Sequence, residues 1–163
     1  MAIDMFLEVE GVPGESIDAV HKGHISLLAW SWGASQSGST HLGPGGGSGK
    51  VAVHDLSFTK YVDSASHLLL LNCCNGTHIP KAVLTIRKAG GTAPLDYVVL
   101  TLNDIIVSSV STGGSGGEDR LTENIALNFA KFKFEYTKQK ADGSADGGPL
   151  PAEWNIPANA KTA

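Results

Sequence analysis

Residues 121–137, LTENIALNFAKFKFEYT, form the longest β-type run in the chain, and they restrict the fold more than any other stretch. Their apolar residues alternate in two phases. Ile125, Leu127 and Phe129 fall on odd positions with Asn124 and Asn128 opposite, whereas Phe132, Phe134 and Tyr136 fall on even positions with Lys131, Lys133 and Glu135 opposite. Side chains alternate faces along a strand, so one slipped residue carries the apolar set across the sheet. The change near Ala130 predicts a bulge, or a strand that bends from one wall of a β-structure into another. The alternative is burial of both faces, as in an assembly whose outer face meets a neighbour. Gly113, Gly114, Gly116 and Gly117, followed by the charged turn Glu118-Asp119-Arg120, lead into this run.

Shorter strands precede it. Ile3, Met5, Leu7 and Val9 alternate as a half-buried strand before the break at residues 11–14. In residues 25–32, Ile25, Leu27, Ala29 and Ser31 share one face, and Ser26, Leu28, Trp30 and Trp32 share the other. Neither face is polar throughout, which suits a central strand or one at an interface. Residues 33–50 are loose and glycine-rich, and residues 51–59 change phase from Val51 and Val53 to Leu56 and Phe58. The one helix expected lies at about residues 64–75, with Asp63 or Ser64 as cap, an apolar body that packs flat on the sheets, and Gly76 beyond its end. Strands follow at residues 82–87, 96–102 and 104–112. Asn103-Asp104 lacks the glycine of a tight hairpin turn, so it reads equally as a bend within one strand. Residues 141–163 are an extended tail with one short strand or anchor at Trp154-Asn155-Ile156. Many strands and one helix indicate a single all-β domain over residues 1–163, a barrel or a sandwich.

Charged residues make up 17% of the chain, below the usual level of about 25%, and the net charge is −4. Phosphate-backbone binding needs clustered Lys and Arg, so nucleic acid is not the expected partner. No apolar run reaches the roughly 20 residues of a membrane span, so membrane insertion is not expected. The N-terminus carries neither the basic nor the apolar region of a signal peptide, which implies a protein made in the cytoplasm. Cys73 and Cys74 are adjacent and read as reduced residues of a buried helix.

No motif supports chemistry. A phosphate-binding loop ending in Gly49-Lys50 would need glycine where Pro44 stands and Ser or Thr where Val51 stands. Asp142, Ser144, Asp146 and Glu153 reproduce calcium-loop spacing, but a β run precedes them, and Pro149 and Pro151 sit where a second helix should begin. Among six His only His21 and His24 are close, without carboxylates or thiols at ligand spacing, so no metal site is expected. No cofactor and no catalytic constellation are expected, and the chain reads as a non-enzyme.

Four runs, at residues 29–50 (AWSWGASQSGSTHLGPGGGSGK), 53–63 (VHDLSFTKYVD), 84–91 (LTIRKAGG) and 107–136 (VSSVSTGGSGGEDRLTENIALNFAKFKFEY), closely resemble the haemolysin-coregulated protein (Hcp) family of bacterial type VI secretion. The resemblance implies a β-barrel of two packed sheets flanked by a single helix. It further implies homohexameric rings stacked into an inner tube within a contractile sheath, beneath a spike of the valine-glycine-repeat (VgrG) family. Such rings are expelled by the system and can hold and protect effector proteins in the lumen. The glycine-rich loop, with His41, Gly43, Gly46, Gly49 and Lys50, is then the expected contact between stacked rings. Ser31, turned away from Trp30 and Trp32, becomes a candidate lumen residue that contacts effectors; the other reading makes it a small buried or ring-interface residue. The rival function is a β-domain that binds protein or carbohydrate without assembling into a tube.

Overall fold

The computed structural model describes residues 3–38, 49–88 and 94–162. In chain order the elements are β1 (Ile3–Val9), β2 (Ile25–Ser26), β3 (Ala29–Ser31), β4 (Ala34–Ser35), β5 (Ala52–Val53), β6 (Leu56–Tyr61), α1 (Ser66–Asn75), β7 (Ile79–Lys88), β8 (Asp96–Gly113), β9 (Thr122–Tyr136) and β10 (Leu150–Asn155). The fold is all-β with one helix, as the sequence implies. Apart from the small β4–β5 pair, the strands form one sheet in the order β2-β1-β7-β8-β9-β6-β3, with β10 added to β9. Leu7, Leu56, Leu84, Leu100, Leu102, Ile105 and Leu127 are fully buried inside it.

Residues 25–31 close the sheet on itself. β2 pairs with β1 through Phe6 and Ser26, while β3 pairs with β6 through Trp30 and Phe58. Between them Leu27 N donates to Met5 O (3.0 Å) and Leu28 N donates to Thr59 O (2.8 Å). One short segment therefore bridges the two ends of the sheet, and hydrogen-bond donors that an open edge would expose are used within the barrel. Its two-sided apolarity follows, because it serves both walls.

The phase change near Ala130 belongs to three strands. Inward residues are Leu127 and Phe129 then Phe132 and Phe134 in β9, Leu100 and Leu102 then Ile105 and Val107 in β8, and Ile79 then Ala82 and Leu84 in β7. In each strand two residues stand where one would keep the alternation: Ala130-Lys131, Asn103-Asp104 and Pro80-Lys81. They lie at one level, since Lys81 pairs with Asn103 and Asn103 with Lys131. Phe129 pairs with Ile105 and Phe132 with Leu102 in the same frame, so β9 gains no residue on β8 here. The sheet turns a corner as a unit, in place of a bulge in β9 alone. Asp104 marks the corner with φ 55, a left-handed conformation uncommon outside glycine. Asn103-Asp104 is thus a bend within one continuous strand. Trp32 packs inside it, with ring centroids 6.3 Å from Phe129, 4.9 Å from Phe132 and 6.4 Å from Phe134. The phase change at residues 51–59 has another cause: β5 belongs to the small pair with β4, and the barrel is rejoined only at Leu56.

The helix departs from its sequence reading. Its N-terminal flank is Ala65, without a side-chain cap. Asp63 Oδ1 instead accepts from Ala65 N (2.9 Å). Gly76 ends the helix in the left-handed conformation, φ 66, as expected. Only Leu69 is buried; Leu70 and Leu71 are half exposed, Cys73 is half-buried and Cys74 is exposed. A helix turns 3.6 residues per turn, so four consecutive leucines distribute around it and only one stripe meets the barrel. The helix is anchored by charge as well. Lys60, fully buried, donates to Asp63 Oδ1 (2.7 Å), Tyr61 O (3.0 Å) and Ser66 Oγ (3.1 Å) and pairs with Glu123 Oε1 (2.6 Å), which also accepts from Ser66 Oγ (2.6 Å).

Candidate functional site

Beyond the corner, β3, β6, the first half of β9 and the second half of β8 lie side by side with a common outer face. Register fixes its rows. Ser31 pairs with Ser57, Ser57 with Ala126 and Ala126 with Ser109; beside them Ala29 pairs with Thr59, Thr59 with Asn124 and Asn124 with Ser111. The opposite sides of the same strands bury Leu56, Phe58, Ile125 and Leu127. Alternation therefore sorts aliphatic and aromatic groups inward and small uncharged polar groups outward.

The face is preordered by side-chain hydrogen bonds. Thr59 Oγ1 donates to Asn124 Oδ1 (2.6 Å). A register shift between Val107 and Ser109 leaves Ser108 as the extra residue of a bulge, and its hydroxyl lies within hydrogen-bond distance of Asp55 Oδ2 (2.6 Å) and Ala126 O (3.1 Å). Asn128 Nδ2 donates to the other oxygen, Asp55 Oδ1 (2.9 Å). Asp55 is the one formal charge among these residues, and both its oxygens are engaged. The surface presents mainly hydroxyls and amides, with Ile106 beside Asn128.

Ser31 sits on this face, exposed, while Trp30 and Trp32 pack against the core. The sequence reading of that alternation is correct. Ser57, Thr59, Ala126, Ser109 and Ser111 were not singled out from sequence. Their signal was available as polar residues opposite apolar ones, yet only strand pairing unites them.

Of the loop residues, His41, Gly43 and Gly46 lie outside the described residues, whereas Gly49 and Lys50 are exposed. The β4–β5 ladder, Ala34 with Val53 and Ser35 with Ala52, joins the two segments that flank this loop. A Cβ at Gly49 would run into Ser37 Oγ, so glycine there lets the two limbs approach.

The tail does not assemble its calcium-like spacing. Asp142 Oδ1 accepts from Ser144 N (2.9 Å) and Ser144 Oγ (2.6 Å), Asp146 faces Lys138 (3.5 Å), and Glu153 lies in β10 beside Lys133. Elsewhere Asp18 holds Arg87 through bonds of 3.0 and 2.6 Å, with Asp4 on the same guanidinium at 3.1 Å. The guanidinium, and then the His21 backbone N–H, hold the Asp18 carboxyl well below the usual carboxylate range. This clamp pins the connection between β1 and β2 to β7. Among the described residues no three His, Cys, Asp or Glu converge for a metal, and no helix is long and apolar enough to cross a membrane.

Comparison with known proteins decides the family. Residues 6–136 match the family model described as type VI secretion system effector, Hcp. The chain belongs to the Hcp family. It is 58% identical over 159 residues to Protein hcp1 of Pseudomonas aeruginosa, covering 98% of both chains. Its fold matches the crystal structure of Hcp1 from Salmonella typhimurium, at 39% identity and a TM-score of 0.81, over 99% of this chain and 100% of that one. A solved type six secretion system protein, 31% identical, superposes with a TM-score of 0.91 over 99% of this chain and 100% of that one. As an Hcp, the chain is a structural tube protein of type VI secretion, secreted by that system.

Proposed function

We propose that this Hcp assembles as a homohexameric ring that stacks into the inner tube of the type VI system. In this reading residues 1–163 are one barrel domain extended by the tail at 141–163. The face around Ser31, with Asp55 as its one formal charge, lines the lumen and carries effector proteins through export. The glycine-rich loop, with His41, Gly43, Gly46, Gly49 and Lys50, bridges to the next ring. The VgrG-family spike and the contractile sheath are the partners at the tube's end and outer wall.

The observation that carries the reading is the outer face of β3, β6, β8 and β9, whose rows hold Ser, Thr, Asn and Ala with one satisfied carboxylate. A lumen must contact diverse cargo and let it go, and such a face offers hydrogen bonds without a hydrophobic hot spot. Large apolar groups are exposed in other places, Ile17 and Val20 on the first connection and Leu70 and Leu71 on the helix. Separate patches suit the heterologous contacts of a ring, which use a different surface on each side.

Native mass measurement and negative-stain imaging test the assembly. A stable hexamer with a central hole is expected; a strict monomer at high concentration would remove the proposal and favour a lone binding domain. Ser31→Arg should leave the ring intact and lower the amount of effector retained. Unchanged cargo in intact rings would remove Ser31 from the lumen.

A further inference from the structure

On the far side of the corner the same face is charged, with Lys131 and Lys133 beside Glu135 and Glu153. Here the outer face of β8, β9 and β10 floors a cavity of about 520 Å³. Two rows of the ladder form the floor, Asn103–Lys131–Asn155 and Thr101–Lys133–Glu153. The wall is the end of the tail, residues 156–162, which folds back and brings Lys161 to the rim.

The wall is built, not draped. Ile156 N donates to Ala130 O (2.8 Å), Asn155 and Ala160 exchange backbone bonds of 2.8 and 3.3 Å, and Thr162 Oγ1 donates to Glu153 Oε2 (2.6 Å). Asn155 Oδ1 accepts from Ala158 N (3.0 Å), which fixes the amide and leaves Nδ2 as the donor it has to offer.

Charge in the cavity does not balance. Glu153 is the one carboxylate in its lining; it accepts from Thr162, lies 3.5 Å from Lys133, which also has Glu135 at 3.9 Å, and attracts Lys161 at longer range. Among the described residues, Lys131 and Lys161 have no carboxylate within ion-pair distance. Lys131 is half-buried between two neutral amides. Lys131, Lys133 and Lys161 face one carboxylate in the lining, and this local surplus of positive charge in a chain of net charge −4 favours an anion. The volume falls in the range of small-molecule sites, roughly 300–1,000 Å³.

We propose that this pocket binds a small polyvalent anion, with Lys131 and Lys161 as point charges and Asn155 Nδ2 and Thr101 as neutral donors. Phosphates and polycarboxylates share that chemistry, and lysine meets either as a point charge.

The test is calorimetric titration of the intact protein in its solution assembly, with inorganic pyrophosphate in one arm and citrate in the other, at matched ionic strength. Saturable binding is expected, about tenfold weaker in Lys131→Gln and in Lys161→Gln, as for loss of one charge-assisted contact. Lys138→Gln, at a lysine paired with Asp146 away from the cavity, should bind like the parent. Pyrophosphate without citrate assigns the site to phosphates, the reverse assigns it to carboxylates, and both together leave charge as the criterion. Absence of saturable heat in both arms, or equal binding by parent and Lys161→Gln, would overturn the proposal. Lys161 lies on the exposed tail, so its variant is informative even if Lys131→Gln fails to fold.

Discussion

Outside the core, the first half of β9 presents Asn124, Ala126 and Asn128, and the second half presents Lys131, Lys133 and Glu135. Inside, both halves present large apolar groups, and Trp32 touches both. β8 runs alongside throughout, so the difference follows the other neighbour. β6 brings Ser57 and Thr59 to the first half, and β10 brings Glu153 and Asn155 to the second. Surface chemistry in this barrel is thus organised by rows across strands, and the corner at Asp104 and Ala130 separates one chemistry from the other. The first set of rows holds one carboxylate, Asp55, among neutral groups; the second holds lysines and glutamates and is capped by the tail.

The comparison depends on a corner that holds, and Trp32 is the strongest lever on it. Trp32→Ala should cost about 3–5 kcal/mol, the usual penalty for emptying a large aromatic site. Urea denaturation of parent and variant measures this. A cost below about 1 kcal/mol would mean that the corner closes without its aromatic centre.

How far this arrangement could be read beforehand differs between its parts. The two phases of β9, the orientation of Ser31 against Trp30 and Trp32, and the glycine that ends α1 were legible because each depends on local periodicity or backbone conformation. The corner was visible in β9 as a change near Ala130, but its extension through Pro80-Lys81 and Asn103-Asp104 depends on register between strands far apart in sequence. Lys60 illustrates the same limit. It shares a face with Leu56 and Phe58, and what permits its burial is Glu123, brought across from another strand. The helix departs in the opposite direction: its apolar composition predicts a body packed flat on the sheets, whereas Leu70 and Leu71 remain half exposed. The basic pocket had a partial signal in Lys131 and Lys133, while Lys161 joins them only through the turn of the tail.

A smaller effect isolates the backbone at the corner. Asp104 holds φ 55, where a β-branched residue is strained and glycine is not. Asp104→Val should lose about 1–2 kcal/mol, and Asp104→Gly should be neutral or stabilising. If both variants lose the same amount, the aspartate side chain, and not its backbone conformation, matters at the junction.

The smallest effect distinguishes the two halves by titration. Thr162 donates to the Glu153 carboxylate, and Lys133 and Lys161 add attraction, so its pKa is held below the ordinary glutamate range. A depressed folded-state pKa contributes stability that is fully present above the unfolded value, near 4.3, and is lost as pH falls through the folded value. Acid should therefore loosen the tail that walls the basic pocket before it disturbs the uncharged rows, where Thr59 and Asn124 bond without titrating groups. Amide exchange, expressed as protection factors, reads this at Ala160 in the tail turn and at Ala126 in β9. Between about pH 5 and pH 3, protection at Ala160 should decline while Ala126 holds, and Glu153→Gln should flatten the Ala160 profile. Parallel decline at both amides would show that the tail and the barrel open together, and the two halves of β9 would then differ in surface chemistry alone.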